Sequence, residues 1–226
     1  MSLTGFLNTS LPFLLKGLFA TIYLALISGV FAMIIGIVVG GFCVRSKIFI
    51  IRKLTALYVA IFRGTPILSH LFIAYFVLPS FGIRLERWQA AVIAISIYNG
   101  AYITEIVRSG IEAIPKGQTE AALSMGMNHF LKMKLIIFPQ AIRIIIPSLV
   151  GQLILLVKST SIVSLIGVFD LLKSGKELIN ASGWNPLIMY SIVAFFYFIV
   201  LYPLYVLSIR IEGKLKISYK IKRELT

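Results

Sequence analysis

Charged residues are scarce in this sequence. They make up 13% of its 226 residues, which is about half of the roughly 25% found in soluble globular chains. Hydrophobic residues make up 59%, and the mean hydropathy is +0.97. This composition excludes a disordered chain and an ordinary soluble enzyme, and it indicates an integral membrane protein.

Cysteine and acidic residues are also rare. The one cysteine, Cys43, excludes an intramolecular disulfide and a multi-cysteine metal site. Eight acidic residues stand against 22 basic ones, which gives a net charge of +14. In a soluble protein, this charge would suggest nucleic-acid binding. Here the basic residues lie between apolar runs, so we expect no nucleic-acid partner and interpret the charge as a signal of membrane topology.

Five apolar runs are long enough to cross a membrane, because a span needs about 20 apolar residues. We predict them at about residues 15–44, 54–79, 88–108, 140–168 and 186–210. Spans that face lipid must satisfy their backbone hydrogen bonds internally. The predicted fold is therefore an all-α membrane protein with five transmembrane helices, in which residues 1–226 form a single transmembrane domain.

The distribution of basic residues predicts the orientation. Fifteen of them lie on the side where the first, third and fifth runs end, either in the connecting segments or at the tips of the runs, whereas four lie on the other side, after the second and fourth runs. Cytoplasmic loops collect Lys and Arg. We therefore predict a multi-pass protein of the cell membrane with its N-terminus outside and its C-terminus in the cytoplasm.

The polar stretch at about residues 110–137 is predicted to form two short helices beneath the membrane. Thr119 is expected to cap a helix that begins at Glu120, and Gly126 to end that helix in a left-handed conformation. Asn128 is expected to cap the second helix. A projecting corner of this shape suits a groove on a soluble partner, and the alternative is an amphipathic connector that lies in the membrane interface.

The same stretch carries a motif with fixed spacing. Glu120-Ala121-Ala122 is followed by three residues and Gly126, then by nine residues, Ile136, one residue and Phe138-Pro139. This pattern resembles the EAA loop of permease subunits of binding-protein-dependent ABC importers. The family pattern usually ends in Leu-Pro, so the phenylalanine is a mild departure.

Further segments resemble the polar amino acid branch of that family, which contains the histidine, glutamine, arginine and cystine importers. They are Phe62-Arg63-Gly64-Thr65-Pro66, Gly100-Ala101-Tyr102 with Glu105 and Arg108, Pro139-Gln140-Ala141-Ile142-Arg143, and Lys158-Ser159-Thr160-Ser161. The resemblance extends over most of the chain and implies the fold of a type I ABC importer permease.

The resemblance also implies a division of labour between subunits. The chain would be the permease subunit of an ABC transporter that imports polar L-amino acids. A cytoplasmic ATPase subunit would bind ATP and Mg, an extracytoplasmic solute-binding protein would deliver the ligand, and a second permease chain, identical or related, would complete the pathway. The residues that would contact the ATPase are Glu120, Ala121, Ala122 and Gly126. The chain has no Gly-x-x-x-x-Gly-Lys-Ser/Thr phosphate loop, so we expect neither enzymatic activity nor a cofactor in it.

Polar groups inside the apolar runs are candidates for substrate contact, because a bilayer disfavours them. Glu105 is the only acidic residue within a run, and it shares a helix face with Tyr98 and Tyr102. A carboxylate flanked by phenols suits the ammonium group of a substrate. The alternative is a local ion pair between Glu105 and Arg108.

A second polar group of residues lies in the fourth run. The predicted substrate-binding set consists of Tyr102 and Glu105 from the third run and Gln152, Lys158 and Ser159 from the fourth. The alternative role for the polar residues of the fourth run is hydrogen bonding between helices. We expect Lys158 near the bilayer midplane, on the premise that the span starts after Pro147; a start near Pro139 would place it towards the outer edge. Family relatives often carry an acid in place of Ser159, and such an acid would favour a cationic substrate. With serine at this position, cystine and glutamine are candidate substrates as well as arginine and lysine.

Two basic side chains near Pro66 are weaker candidates. Arg63 and His70 share a face and suit a carboxylate, whereas the alternatives are a structural anchor and a packing histidine. An ion channel or a secondary carrier is the alternative function, and it would not need the shaped cytoplasmic corner. An intramembrane hydrolase is disfavoured, because the sequence has no Gly-x-Ser-x-Gly or His-Glu-x-x-His motif.

Overall fold

The structure is a computed structural model that describes residues 6–45 and 48–224, with side chains for residues 6–44 and 48–213. Lys47 of the predicted basic loop, and the basic side chains beyond Gly213, lie outside this description. All regular elements of the described residues are helical, which confirms the predicted all-α class.

The described residues form nine α-helices with short turns of other helical types between them. The α-helices are α1 Leu11–Arg45, α2 Phe49–Gly64, α3 Ile67–Phe72, α4 Arg87–Glu112, α5 Lys116–Ser124, α6 His129–Lys132, α7 Phe138–Ser159, α8 Leu171–Ser182 and α9 Pro186–Glu224. The π-helical turns are Phe6–Ser10, Ile73–Val77 and Met133–Ile137, and the 3₁₀ turns are Leu78–Phe81 and Thr160–Ile166.

Four helical segments are long and apolar enough to cross a membrane, and a bent pair of helices can supply a fifth span. The four segments are Phe6–Val44, Arg87–Glu112, His129–Ile166 and Pro186–Gly213. The bent pair is Phe49–Gly64 with Ile67–Phe81, and the bend between the two helical segments is 103°. The predicted number of five spans is matched if this pair counts as one span, although each observed segment is longer than the predicted run.

The second span breaks where the sequence has Gly64-Thr65-Pro66. The Thr65 hydroxyl donates to the Ile61 carbonyl at 2.6 Å and lies 2.8 Å from Nε2 of His70. Pro66 cannot donate a backbone hydrogen bond, so it ends the regular ladder of α2. The kink that Pro66 predicts is present, but it is a turn between two helices.

The fourth span is continuous at the position where the sequence predicted a break. α7 runs from Phe138 through Pro147 to Ser159, so the helix break that we expected before the span, between Pro139 and Pro147, is absent. Pro139 is the second residue of α7 and directly follows the π-helical turn Met133–Ile137, where one helical type changes to another. Pro147 leaves one carbonyl without its helical partner, and membrane helices tolerate such a loss.

The main core forms where α1 runs along α4. A Cβ on Gly40 of α1 would lie 2.7 Å from the Thr104 carbonyl oxygen of α4, and one on Gly36 would clash with Ile103. Close backbone contact of this kind needs small residues, as is typical of helix pairs in membranes. A second, smaller core joins α8 to the starts of α1 and α9; it contains Leu14, Leu171, Leu178, Met189 and Val193.

The two ends of the bundle can be defined by these elements. We call the end where α4 finishes and α5 and α6 lie the loop end. The end where α4 begins at Arg87, and where α8 lies, is the far end. α7 starts at the loop end and finishes at the far end, so it is antiparallel to α4.

Candidate functional site

A row of polar side chains lies on α4 towards the loop end. The hydroxyls of Tyr98 and Tyr102 are 3.2 Å apart, and their ring centroids are 5.2 Å apart. Glu105 follows on the same side, one turn after Tyr102. The predicted common face of Tyr98 and Tyr102 is therefore confirmed.

Glu105 also forms the local ion pair that the sequence left as an alternative. Nε of Arg108 donates to Oε2 of Glu105 at 2.9 Å, and a second guanidinium nitrogen lies 2.5 Å from Oε1. Arg108 bridges to Glu112 as well. The side chain of Glu105 is 27% exposed, and an ionised carboxylate has about four lone-pair positions. Its carboxylate can therefore accept a further donor without releasing Arg108.

Arg63 reaches this row from the end of α2. Its guanidinium carbon lies 5.2 Å from the centroid of the Tyr102 ring, which is a cation–π distance. Among the described residues, no carboxylate lies within ion-pair distance of Arg63. An exposed guanidinium that is placed by a ring but has no acidic partner can bind a carboxylate of a ligand.

Aromatic rings form a wall beside Arg63. His70 of α3 stacks on Phe62 with 4.5 Å between centroids, and it lies 5.9 Å from the ring of Tyr98. Its Nε2 is engaged by Thr65. These contacts favour the interpretation of His70 as a packing residue. We call the surface formed by Phe62, Arg63, His70, Tyr98, Tyr102 and Glu105 the Arg63–Glu105 face.

Gln152 lies deeper and is engaged by another helix. Its Nε2 donates to Oδ1 of Asn99 at 2.9 Å, and both residues are buried. The Asn99 amide in turn donates to the Ile95 carbonyl at 2.9 Å. This arrangement is the interhelical hydrogen bond that the sequence left as the alternative for Gln152. Asn99 was not among the predicted site residues, although its position inside an apolar run was a signal.

The other two predicted contacts lie in the far half of the bundle. Lys158 is exposed, and the Ser159 hydroxyl donates to the Leu156 carbonyl at 2.7 Å. Lys158 is six residues beyond Gln152 towards the far end, whereas Glu105 is six residues from Asn99 towards the loop end. At about 1.5 Å of rise per residue, the two charges are about 18 Å apart along the bundle. The structure therefore does not bring the predicted substrate-binding residues into one cluster.

The loop end presents the predicted pair of short helices. α5 starts at Lys116, with Pro115 in the N-cap position at a φ of −54° and a ψ of 137° and with no side-chain cap. The predicted cap at Thr119 is therefore wrong, and Glu120 lies inside α5 and not at its first turn. The predicted cap at Asn128 is confirmed, since its Oδ1 accepts the Leu131 amide at 2.9 Å.

The corner between α5 and α6 has the geometry of a Schellman motif. Gly126 adopts a φ of +74°, which confirms the predicted left-handed conformation. Its amide donates to the Leu123 carbonyl at 2.9 Å, and the Met127 amide donates to the Ala122 carbonyl at 3.1 Å. Ala122 is buried, whereas Ala121 beside it is exposed. The corner is therefore fixed by its own hydrogen bonds.

The outer surface of this corner is apolar. Leu123, Met125 and Phe130 are between 54% and 65% exposed. Exposed apolar side chains that cluster on a loop mark an interaction surface. The corner thus combines a rigid backbone with a surface that another protein can cover.

Comparison with known proteins places the chain among transport components. Residues 32–215 match the family described as "Binding-protein-dependent transport system inner membrane component". The arginine transport system permease protein ArtQ of Bacillus subtilis (strain 168) is 36% identical over 207 residues, which cover 91% of this chain and 94% of ArtQ. The L-cystine transport system permease protein TcyB of the same strain is 37% identical over 204 residues, which cover 90% of this chain and 87% of TcyB.

Solved structures share the fold over nearly the whole chain. A chain from the crystal structure of an amino acid ABC transporter with histidines superposes with a TM-score of 0.87 at 31% identity, and covers 95% of this chain and 99% of that chain. The MetNI methionine ABC transporter in an inward-facing conformation gives a TM-score of 0.76 at 23% identity, with the same coverage. The predicted fold of a type I importer permease is therefore confirmed.

Proposed function

We infer, because the chain belongs to the family of inner membrane components of binding-protein-dependent transport systems, that it is a multi-pass permease subunit of an ABC transporter for polar amino acids. The amino acid class follows from relatives that are named as arginine and cystine permeases. Within the structure, the observation that carries this inference is the Arg63–Glu105 face.

This face offers one group for each end of an α-amino acid. The guanidinium of Arg63 makes no ion pair with a described carboxylate, so its donors suit the α-carboxylate. Glu105 keeps lone pairs beside Arg108 that suit the α-ammonium group. Tyr102 contacts Arg63 through its ring, and it precedes Glu105 by one turn on α4. Together these groups are complementary to a zwitterion, and they do not demand a charged side chain on the substrate.

The remaining predicted contacts belong to a second level of the pathway. We assign Lys158 and Ser159 to the far half of the bundle, where an amino acid carboxylate would meet the exposed ammonium group. Gln152 lies between the two levels. It can contact a substrate only if its hydrogen bond to Asn99 opens during transport.

The partners follow from the same proposal. The apolar corner around Gly126, with Glu120, Ala121 and Ala122, docks into a cytoplasmic ATPase subunit that binds ATP and Mg. An extracytoplasmic solute-binding protein delivers the amino acid to the far end, and a second permease chain completes the pathway. In this arrangement the N-terminus is outside and the C-terminus is cytoplasmic, as the basic residues favour.

Paired substitutions in a reconstituted transporter test the face. Arg63→Gln and Glu105→Gln should each lower amino acid uptake about 10-fold or more, since each removes a hydrogen bond to a charged group. Arg52→Gln is the control for the first change, because Arg52 is exposed on the same helix, α2. Glu112→Gln is the control for the second, because Glu112 also binds Arg108.

The controls separate substrate contact from effects on folding and helix pairing. Both should keep uptake within about twofold of the wild type. Equal losses for Glu105→Gln and Glu112→Gln would show that the Arg108 network acts only in structure. Uptake that continues without ATP would favour a channel or a secondary carrier.

A further inference from the structure

A buried carboxylate lies at the far end, away from the Arg63–Glu105 face and outside the candidate spans. Asp170 is fully buried and precedes α8. Its Oδ1 caps that helix by accepting the Lys173 amide at 2.8 Å. Its Oδ2 is also buried but has no hydrogen-bond partner among the described residues. A buried polar atom without a partner is disfavoured by about 1–3 kcal/mol, and by more if the group is charged.

A second unpartnered polar atom comes from α9. The hydroxyl of Tyr197 is buried, and no described residue forms a hydrogen bond with it. It lies beside the hydroxyls of Thr21 and Thr160, and within electrostatic range of Asp170. The two orphaned oxygens are not hydrogen-bonded to each other in the structure, and a proton bound to Oδ2 would supply the hydrogen that such a bond needs.

The neighbouring elements leave little freedom around Asp170. The Thr21 hydroxyl oxygen of α1 accepts the Leu171 amide at 3.0 Å. A Cβ on Gly17 of α1 would lie 2.8 Å from the Asp170 carbonyl oxygen. The Thr160 hydroxyl already donates to the Val157 carbonyl. The cluster therefore ties α1, α8, α9 and the 3₁₀ turn together at one point.

Among the described residues, no cation forms an ion pair with this carboxylate. The charged neighbour that acts on Asp170 is Lys173, whose ammonium donates to the Gly167 carbonyl at 2.7 Å and lies 3.7 Å from Glu177. α9 contributes the neutral phenol of Tyr197, and α1 and the 3₁₀ turn contribute the hydroxyls of Thr21 and Thr160. Burial consequently raises the pKa of Asp170 to about 6, although hydrogen bonds from the backbone amides of α8 lower it in part.

We propose that Asp170 is a proton-binding site at the far end of the bundle, and that the bound proton lies on Oδ2 and is donated to the hydroxyl oxygen of Tyr197. The proton comes from hydronium in solution, whose O–H bond breaks as the O–H bond on Oδ2 forms. The protonated cluster joins α8 to α9 and stabilises the packing of the far end. When the proton leaves, the packed arrangement must hold an ionised carboxylate without a compensating cation.

The direction of the pH dependence follows from linkage. The pKa of Asp170 is about 6 in the folded protein, whereas the pKa of an aspartate in an unfolded chain is about 3.9. Between these values the folded protein binds more protons than the unfolded one. Its stability therefore falls as the pH rises from about 4 to about 6, and this contribution stays constant above that range.

Infrared titration of the full-length protein in lipid nanodiscs tests the site directly. A protonated carboxyl group has a C=O stretch that an ionised one lacks. The wild type should lose one such band between pH 5 and pH 8, and Asp170→Asn should lack this change. Asparagine is also a good helix cap, so this variant keeps α8 and mimics the protonated state. Glu177→Gln removes an exposed acid from the same helix and should keep the band.

A second variant distinguishes the direction of the hydrogen bond. Tyr197→Phe removes the proposed acceptor, so the midpoint of the infrared titration should move to lower pH. A midpoint that moves to higher pH would mean that Tyr197 donates to an ionised Asp170, and the proposal would be overturned. A wild-type band change that persists in Asp170→Asn would overturn it as well. Nanodiscs expose both ends of the protein, so the result does not depend on the membrane orientation or on transport.

Discussion

Asn99 and Gln152 form a polar contact between two apolar helices. Since the Gln152 amide donates to Asn99 inside the bundle, Gln152→Leu should leave Oδ1 of Asn99 without a donor. We expect the free energy of unfolding to fall by about 1 kcal/mol, because interhelical hydrogen bonds in membranes average about 0.6 kcal/mol and an unsatisfied acceptor adds to that. Thermal or detergent unfolding of the purified protein measures this change.

The double variant decides whether the two side chains act as a pair. Asn99→Ala together with Gln152→Leu should be less destabilising than the sum of the two single changes. Ser148→Ala is the control, because Ser148 is exposed on α7 one turn before Gln152. Strict additivity in this cycle, or an altered competition order among amino acids for Gln152→Leu, would contradict a role in helix pairing.

The sequence was sufficient to predict contacts between residues that are close together in the chain. Tyr98, Tyr102, Glu105 and Arg108 are three or four residues apart, so helical periodicity alone places them together. The contact of Gln152 with Asn99 joins residues that are 53 apart in the chain. Such a contact depends on which helices pack together and at what height, and no local pattern determines this. The separation of Glu105 from Lys158 was missed for the same reason.

At the level of helices, the positions of prolines alone did not predict where a helix breaks. Pro66 breaks a span and Pro147 does not, although both lie inside predicted apolar runs. The difference is that Pro66 is preceded by Gly64 and Thr65, and the Thr65 hydroxyl bonds the Ile61 carbonyl at the end of α2. Glycine and a competing hydroxyl weaken the helix before the proline. Pro147 lies among good membrane-helix formers, and the rest of the ladder holds α7 together.

The corner between α5 and α6 gives a prediction about coupling. Gly126 has a φ of +74°, but no neighbour lies within 4 Å of a Cβ built on it. Gly126→Val therefore acts through backbone conformation, and a left-handed conformation disfavours a residue with a Cβ by about 1–2 kcal/mol. We expect the variant to insert normally while binding of the ATPase subunit and transport both fall. Co-purification of the ATPase and uptake measure this.

Gly117 provides the matched control for this substitution. It lies in α5, its φ is not positive, and a Cβ on it would also meet open space. Gly117→Val should therefore retain most of the transport activity. Full ATPase binding by Gly126→Val would show that the corner is only a connector between spans.

The charge pattern predicts how the whole molecule is oriented in the membrane. The far end of the described structure contains Ser80 and Ser182, which are both exposed, and the loop end contains the exposed Ser124. With fifteen basic residues predicted on the cytoplasmic side and four outside, the far end should face the exterior. Hydropathy can predict that the chain spans the membrane, but only the basic residues distinguish the two orientations.

Single cysteines introduced into a Cys43→Ala background test this orientation. Cysteines at Ser80 and Ser182 should react with a membrane-impermeant maleimide in intact cells. Those at Ser124 and at Ser218, whose side chain lies outside the described residues, should react only after the membrane is opened. Cys43 is buried, so its removal eliminates a background signal at little structural cost. Labelling of Ser124 and Ser218 in intact cells would reverse the orientation, and it would place the corner around Gly126 on the side where no ATP-driven subunit can reach it.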